Sequence, residues 1–330
     1  MTQSWTWWLG FNSLVLAMLA VDLGVFQRRA HGVRFREALA WSMVWIAAAL
    51  LFALGLWLGW LGEYLAADRP RITLEFLAGY LIEKSLSVDN LFVFAVIFNY
   101  FAVPTAHQHR VLFFGILGAL LFRALFIFGG LWLVQKFTWM VYVFGLFLIF
   151  AGLKLAIAKD KEAAPQRNPL LRLARATLPV TSDYVDGRFF VRADRRWLAT
   201  PLLLVLLLIE TTDIVFAVDS IPAVIAITKD PFVVYTSNVL AILGLRALYF
   251  VLAVFLRMFR YLSYGLAVLL VFTGLKMLAE PLFGFHMSPG LSLVIIGSIL
   301  AITVVWSLLA PSAPRPAARP AGLRAGGDKR

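Results

Sequence analysis

Apolar residues run along this chain in long unbroken stretches instead of alternating with polar ones. Nine such stretches stand out: Leu9–Phe26, Ala38–Leu61, Phe76–Val103, Val111–Val134, Thr138–Ala158, Ala199–Ile227, Phe232–Leu256, Tyr261–Ala279 and Pro289–Ala310. A bilayer core about 30 Å thick takes roughly 20 residues of helix. The pattern therefore predicts an all-α polytopic membrane protein of about nine spans. The stretches group into two N-terminal helices (9–61), three helices (76–158), a polar segment (159–198), three more helices (199–280), a last span (289–310) and a tail (311–330). The tail is rich in Pro, Ala, Gly and Arg and is expected to be disordered. The central segment mixes apolar LLRLARATL with charge, which suits a surface helix better than a separate domain.

Composition agrees, at 62% hydrophobic and 15% charged. The net charge of +12 changes the picture only through its placement. With nine spans, alternate loops and the tail hold 21 Lys and Arg, whereas the opposite side holds four: Arg69, Arg71, Lys136 and Lys229. The positive-inside rule puts the 21 in the cytoplasm, the N-terminus outside and the C-terminus inside. Bases used in this way do not argue for nucleic-acid binding. The absence of cysteine excludes disulfides, thiolate ligands and thiol redox chemistry. The first residues, MTQSWTWWLG, lack a basic leader and a cleavage site, so the first helix is expected to be retained.

The candidate chemistry lies in Leu81–Phe98, LIEKSLSVDNLFVFAVIF, which carries Glu83, Lys84, Asp89 and Asn90 inside an apolar run. Charge at mid-bilayer costs at least about 2.5–3.5 kcal/mol, so such residues are functional candidates. Ser85, Ser87 and Asn90 are placed to satisfy backbone groups if this helix is broken. The segment has an echo in Asp213–Val224, where Asp213 and Asp219 repeat the six-residue spacing of Glu83 and Asp89, and Ser220 stands for Asn90. FRALF at Phe122–Phe126 answers LRALYF at Leu245–Phe250, and FAGLK at Phe150–Lys154 answers FTGLK at Phe272–Lys276. Each unit then has three helices, an odd number, so the second enters the membrane from the opposite face. Inverted repeats of this kind place a substrate near the midplane, where the units meet.

Six acids fall within the expected spans (Asp22, Glu83, Asp89, Glu210, Asp213, Asp219) against three bases (Lys84, Arg123, Arg246). The excess of negative charge needs protons or a cation. Oxygen ligands without cysteine or intramembrane histidine suit manganese, magnesium or calcium better than zinc or copper. Residues six apart lie about 240° apart on a straight helix, so either the helices break or one acid of each pair lines the cavity. Asp89 and Asp219 are favoured as that inner pair, with a structural salt bridge as the plain alternative. Glu210 shares a face with Asp213 but matches Tyr80 in the first unit, and Asp22 has no repeat partner. Arg123 and Arg246 are expected to hold the acids until metal arrives, and Lys84 to act as a counter-charge or to reach for the interface.

At GYLIEKSLSVDNLFVF (79–94), IETTDIVFAVDSIPAV (209–224), TSNVLAILGLRALYF (236–250) and GLAVLLVFTGLKML (265–278) the chain resembles the TerC family of integral membrane proteins, most closely its Alx branch. The resemblance spans roughly residues 10–310. It implies a manganese(II) exporter of the LysE-like transporter group, in a bacterial inner membrane, with Mn2+ as substrate and no tightly bound cofactor. By family motif, Glu83, Asp89, Asn90, Glu210, Asp213 and Asp219 carry over as the metal pathway. Asp22, Lys84, Arg123, Arg246 and Ser220 are counter-charge or pathway candidates. Proton coupling is expected, since carboxylates that carry protons in the empty site release them when metal binds. The alternatives are a calcium/proton exchanger of the same architecture and a membrane factor that delivers metal to secreted enzymes.

Overall fold

The structure, a computed structural model, describes residues 3–27, 35–157, 179–181, 183–193, 196–255, 262–285 and 287–309. Within its helices the side chains of Asp22, Asp89 and Asp219 lie outside the described set, as does the whole LLRLARATL stretch. The helices are α1 (Trp5–Gln27), α2 (Phe35–Leu58), α3 (Arg69–Tyr100), α4 (Thr105–Lys136), α5 (Met140–Ile157), α6 (Pro201–Ile225), α7 (Pro231–Leu243), α8 (Leu245–Phe255), α9 (Leu262–Phe283) and α10 (Pro289–Leu309). Between α5 and α6 an antiparallel hairpin pairs β1 (Phe190–Ala193) with β2 (Arg196–Ala199). The sequence reading did not anticipate this hairpin, because two strands of four residues are too short to show a period.

The surface is turned inside out relative to a water-soluble helical protein. On α4, Leu121 and Leu125 are 68% and 67% exposed, while Arg123 between them is 1% exposed. Such a face is stable when the solvent is hydrocarbon. Among the described residues six helices (α2, α4, α5, α6, α9 and α10) are long and apolar enough to cross a bilayer, and α7 with α8 makes a seventh if the two form one span. The charges of α3 remove it from that count despite its 32 residues. The described apolar part of α1, Trp5–Val21, is shorter than a span.

Helix α3 departs from expectation. It begins at Arg69, with Pro70 in its first turn, and runs unbroken to Tyr100. No break occurs at Ser85–Asn90, because the hydroxyls find partners inside the intact helix. Ser85 Oγ donates to the Leu81 carbonyl at 2.6 Å, one turn back. The break falls at Gly244, where α7 and α8 meet at 44°. There Lys84 Nζ donates to the Ala241 carbonyl at 3.1 Å. That carbonyl belongs to the last turn of α7, where backbone acceptors lose their helical partners. Lys84 is thus a cap for a helix end inside the protein, and it does not reach for the interface.

Two sets of contacts join the halves of the chain. Helix α3 packs on α7 and on α6, α4 packs on α6, and α5 packs on α9. The α5–α9 contact is reciprocal at atomic detail. A Cβ on Gly152 would lie 2.7 Å from the Ala267 carbonyl oxygen and 3.1 Å from Val271 N. A Cβ on Gly274 would lie 2.7 Å from the Gly145 carbonyl oxygen and 3.0 Å from Ile149 N. Gly152 and Gly274 are the matched glycines of FAGLK and FTGLK. Gly145 and Ala267, like Ile149 and Val271, are matched at the same offset. Gly145 meets Gly274 and Leu278 while Gly152 meets Ala267 and Val271, so α5 and α9 run antiparallel. An aromatic cluster holds α1 and α2 to this frame: Trp8 meets Phe232 edge-on at 5.2 Å, Phe11 meets Phe52 at 5.5 Å, and Phe52 meets Phe76 at 5.2 Å.

Candidate functional site

Helices α3, α4, α6 and α7 converge on one buried arginine. Arg123 of α4 lies between Glu83 of α3 and Asp213 of α6, and all three side chains are essentially removed from solvent. Its Nη1 donates to Glu83 Oε1 and, at 3.1 Å, to Ser220 Oγ. Its Nε and Nη2 reach Asp213 Oδ2 and Oδ1 at 3.4 and 3.3 Å. A guanidinium suits this place because its planar fork serves two carboxylates at once and stays charged.

Glu83 is fully satisfied. Besides Arg123 it accepts from Ser87 Oγ at 3.0 Å, one turn along α3, and from Asn238 Nδ2 of α7 at 2.8 Å. Charge-assisted hydrogen bonds of this kind fix a buried carboxylate in one geometry. Two acids with one base leave the triad at a formal charge of −1.

The remaining candidates sit around this triad in different ways. Glu210, one helical turn before Asp213, presses its carboxylate against Gly118 of α4, where any Cβ would collide with it. Its Oε2 is buried without a hydrogen-bond partner among the described residues. Asn90 and Ser220 line one crevice of about 430 Å3 between α3, α5, α6 and α9, so Ser220 joins that crevice to Arg123. A second crevice, about 510 Å3, lies where α3 begins and α6 ends, and carries Glu75, Asp230, Glu280 and Arg71. Glu75 precedes Glu83 by eight residues on α3, roughly 12 Å along the axis. Asp230 at its rim caps α7, accepting from Phe232 N and Val233 N at 2.9 and 3.1 Å, and also accepts from Tyr64 OH at 3.3 Å. Burial, and then the Asp230 carboxylate, push the Tyr64 hydroxyl well above the usual phenol range.

The expected ligands are therefore brought together only in part. Glu83 and Asp213, which the repeat matches but which were not the favoured inner pair, share Arg123, and Glu210 stands one turn away. The side chains of Asp22, Asp89 and Asp219 lie outside the described residues. Arg246 is buried like its counterpart Arg123. Among the described residues no three His, Asp or Glu side chains gather closely enough to hold a metal ion. Asn238 and Ser87 were missed as site residues. The clue to Asn238 was the polar triplet Thr236–Ser237–Asn238 inside an apolar span.

The family model described as "Integral membrane protein TerC family" matches residues 68–314. The chain belongs to the TerC family of integral membrane proteins. It is 50% identical over 302 residues, 92% of each chain, to "Uncharacterized membrane protein STKORF319" of Myxococcus xanthus. It is 47% identical over 304 residues to proteins named "Putative membrane-bound redox modulator Alx" in Salmonella typhi and Escherichia coli K12, covering 90% of this chain and 92% of theirs. No solved structure matches. The TerC-family match runs from residue 68 to 314, past the end of α10 at Leu309, so the buried triad falls wholly inside it.

Proposed function

We propose that this TerC-family protein is a manganese(II) efflux transporter of the bacterial inner membrane, working through the acidic site around Arg123. The observation that carries the reading is a buried arginine of α4 held by a carboxylate of α3 and one of α6, which this reading puts at equivalent places of two three-helix units. The reciprocal glycine contacts of α5 and α9 support a pseudo-two-fold relation between those units. Antiparallel packing of matched helices puts the axis in the membrane plane, as inverted repeats require. In this reading α1 and α3 complete nine spans, with the N-terminus outside and the C-terminus in the cytoplasm.

The chemistry follows from charge. In the empty site Arg123 supplies the cation that Glu83 and Asp213 need. A divalent ion arriving from the cytoplasm competes for the same oxygens, and Arg123 swings off as the ion takes them. Oxygen-only ligands suit Mn2+, along with Ca2+ and Mg2+, better than zinc or copper. Asp89, Asn90, Glu210 and Asp219 extend the ligand set along the pathway, and the acid-bearing crevice at Glu75, Asp230 and Glu280 receives the ion outside. Return of the empty site carries protons inward. The redox role in the relatives' name could not use thiols here, because the chain has no cysteine.

The test is manganese flux in vesicles holding the purified protein at fixed membrane potential. Mn2+ uptake that accelerates with an imposed proton gradient, and that Glu83→Gln or Asp213→Asn abolishes, is the expected result. Flux indifferent to both substitutions would sink the reading. Calcium that outcompetes manganese would replace the substrate but keep the site.

A further inference from the structure

We propose that Asn238 is a direct ligand of the transported cation, contributed by the second unit alone. The inference deepens, and rests on, the reading of Glu83 and Asp213 as the transport site. Asn238 is fully buried on α7, and its Nδ2 donates to Glu83 Oε2 at 2.8 Å. That bond fixes the amide's orientation and leaves Oδ1 as the free end. Oδ1 is buried and has no hydrogen-bond partner among the described residues. A bare amide oxygen in the interior costs about 1–3 kcal/mol, and buried polar atoms are nearly always paired. An unpaired acceptor beside a carboxylate is what a cation site looks like before its ion arrives.

The dimensions agree. The two polar atoms of one amide are about 2.3 Å apart, so Oδ1 lies within roughly 5 Å of Glu83 Oε2. An ion with bonds of 2.0–2.6 Å joins oxygens up to about 4–5 Å apart, so the two oxygens need only draw slightly together to share one. A neutral carbonyl oxygen is a hard donor, which fits manganese, calcium or magnesium and adds no charge that would hold the ion too tightly.

The site is lopsided as a result. By the register of the FRAL and LRAL motifs, the position matching Asn238 is Gly115, which has no side chain to offer. The space where its Cβ would stand is closed by Ile209, 3.3 Å away. The ion is therefore drawn towards α7 and the break at Gly244, away from the axis between the units. Helix α7 is held there by Lys84 on the Ala241 carbonyl.

The experiment is Mn2+ titration of the purified full-length protein in detergent, read by calorimetry and by the rise in melting temperature. Asn238→Ala should weaken Mn2+ binding at least about tenfold, the equivalent of one lost ligand bond of about 1.4 kcal/mol. Asn238→Asp keeps an oxygen at the place and loses the donor to Glu83. It should lower the melting temperature of the metal-free protein and yet bind Mn2+ at least as well as the native chain. If Asn238 only positions Glu83, the aspartate variant binds as poorly as the alanine variant, and the proposal falls. Native affinity in Asn238→Ala overturns it too. Should the alanine variant not fold, loss of Mn2+ binding in Asn238→Asp decides against it, and retained binding for it. Glu83→Gln and Asp213→Asn run alongside; if these bind Mn2+ normally, it is the transport-site reading that fails.

Discussion

Arg123→Met asks the site to stand without its own cation. In the native protein Glu83 and Asp213 are 0% and 3% exposed, and Arg123 is the base that bonds both. Methionine keeps the length and volume of the stem and removes the charge. Two carboxylates then face each other in a water-poor interior. Removing one partner from a buried ion pair costs about 3–5 kcal/mol, because the other charge is left uncompensated. The metal-free variant should lose that much stability at neutral pH. It should also bind Mn2+ more tightly, since no tethered competitor has to be displaced. A tenfold gain, about 1.4 kcal/mol, is the least that competition predicts. The assay is thermal unfolding in detergent with and without Mn2+. The triple variant Glu83→Gln, Arg123→Met, Asp213→Asn replaces the triad with neutral groups of similar shape. It should recover most of the lost stability and gain nothing from manganese. A single variant that melts like the native protein without metal, or that manganese fails to stabilise, would refute the reasoning.

Other expectations follow from the same contacts. Gly118→Ala puts a methyl where the Glu210 carboxylate lies; transport should fall several-fold while the fold survives, because a carboxylate tip can move, and flux against melting temperature separates the two. Gly152→Ala and Gly274→Ala should each destabilise by about 1–3 kcal/mol through overpacking, and by similar amounts, since their neighbours are reciprocal; a large cost at one and none at the other would break the two-fold relation. Tyr64→Phe removes a donor to Asp230 and should cost about 1 kcal/mol. Because the Tyr64 hydroxyl is raised in the folded state, its contribution is complete below the unfolded value of about 10 and fades only above it, so urea melts at pH 6 and pH 9 should show equal losses. Cysteines introduced as Glu63→Cys and Asp183→Cys, in a chain that has none of its own, should react with an impermeant reagent only from outside and only from the cytoplasm, respectively; the reverse pattern would invert the topology.

What the sequence made legible was whatever repeated or ran long. Helix positions and the match of Glu83 with Asp213 could be read because each leaves a long run or an echo; that Arg123 joins this particular pair could not, and the sequence favours Asp89 and Asp219 instead. The unbroken course of α3 could not. Ser85 and Ser87 are as able to bond inside a helix as to patch a broken one, and only the backbone decides. The break at Gly244 was hidden because a lone glycine within an apolar run is no signal of one, and its match in α4, Leu121, lies in an unbroken helix. Asn238 escaped notice for the converse reason: a search for matched residues passes over a ligand whose counterpart is glycine. That Lys84 caps α7 could not be read, because its partner there is a backbone carbonyl, which no residue pattern records.

The most direct measurement is total manganese, by elemental mass spectrometry, in a manganese-loaded bacterium lacking its own efflux systems. Cells making the native protein are compared with cells making Glu83→Gln or Asp213→Asn at matched protein levels. The account predicts that the native protein lowers cellular manganese and that either substitution returns it to the level of cells without the protein. Manganese unchanged by the native protein, with secreted manganese enzymes gaining activity, would contradict export and favour delivery of metal across the membrane.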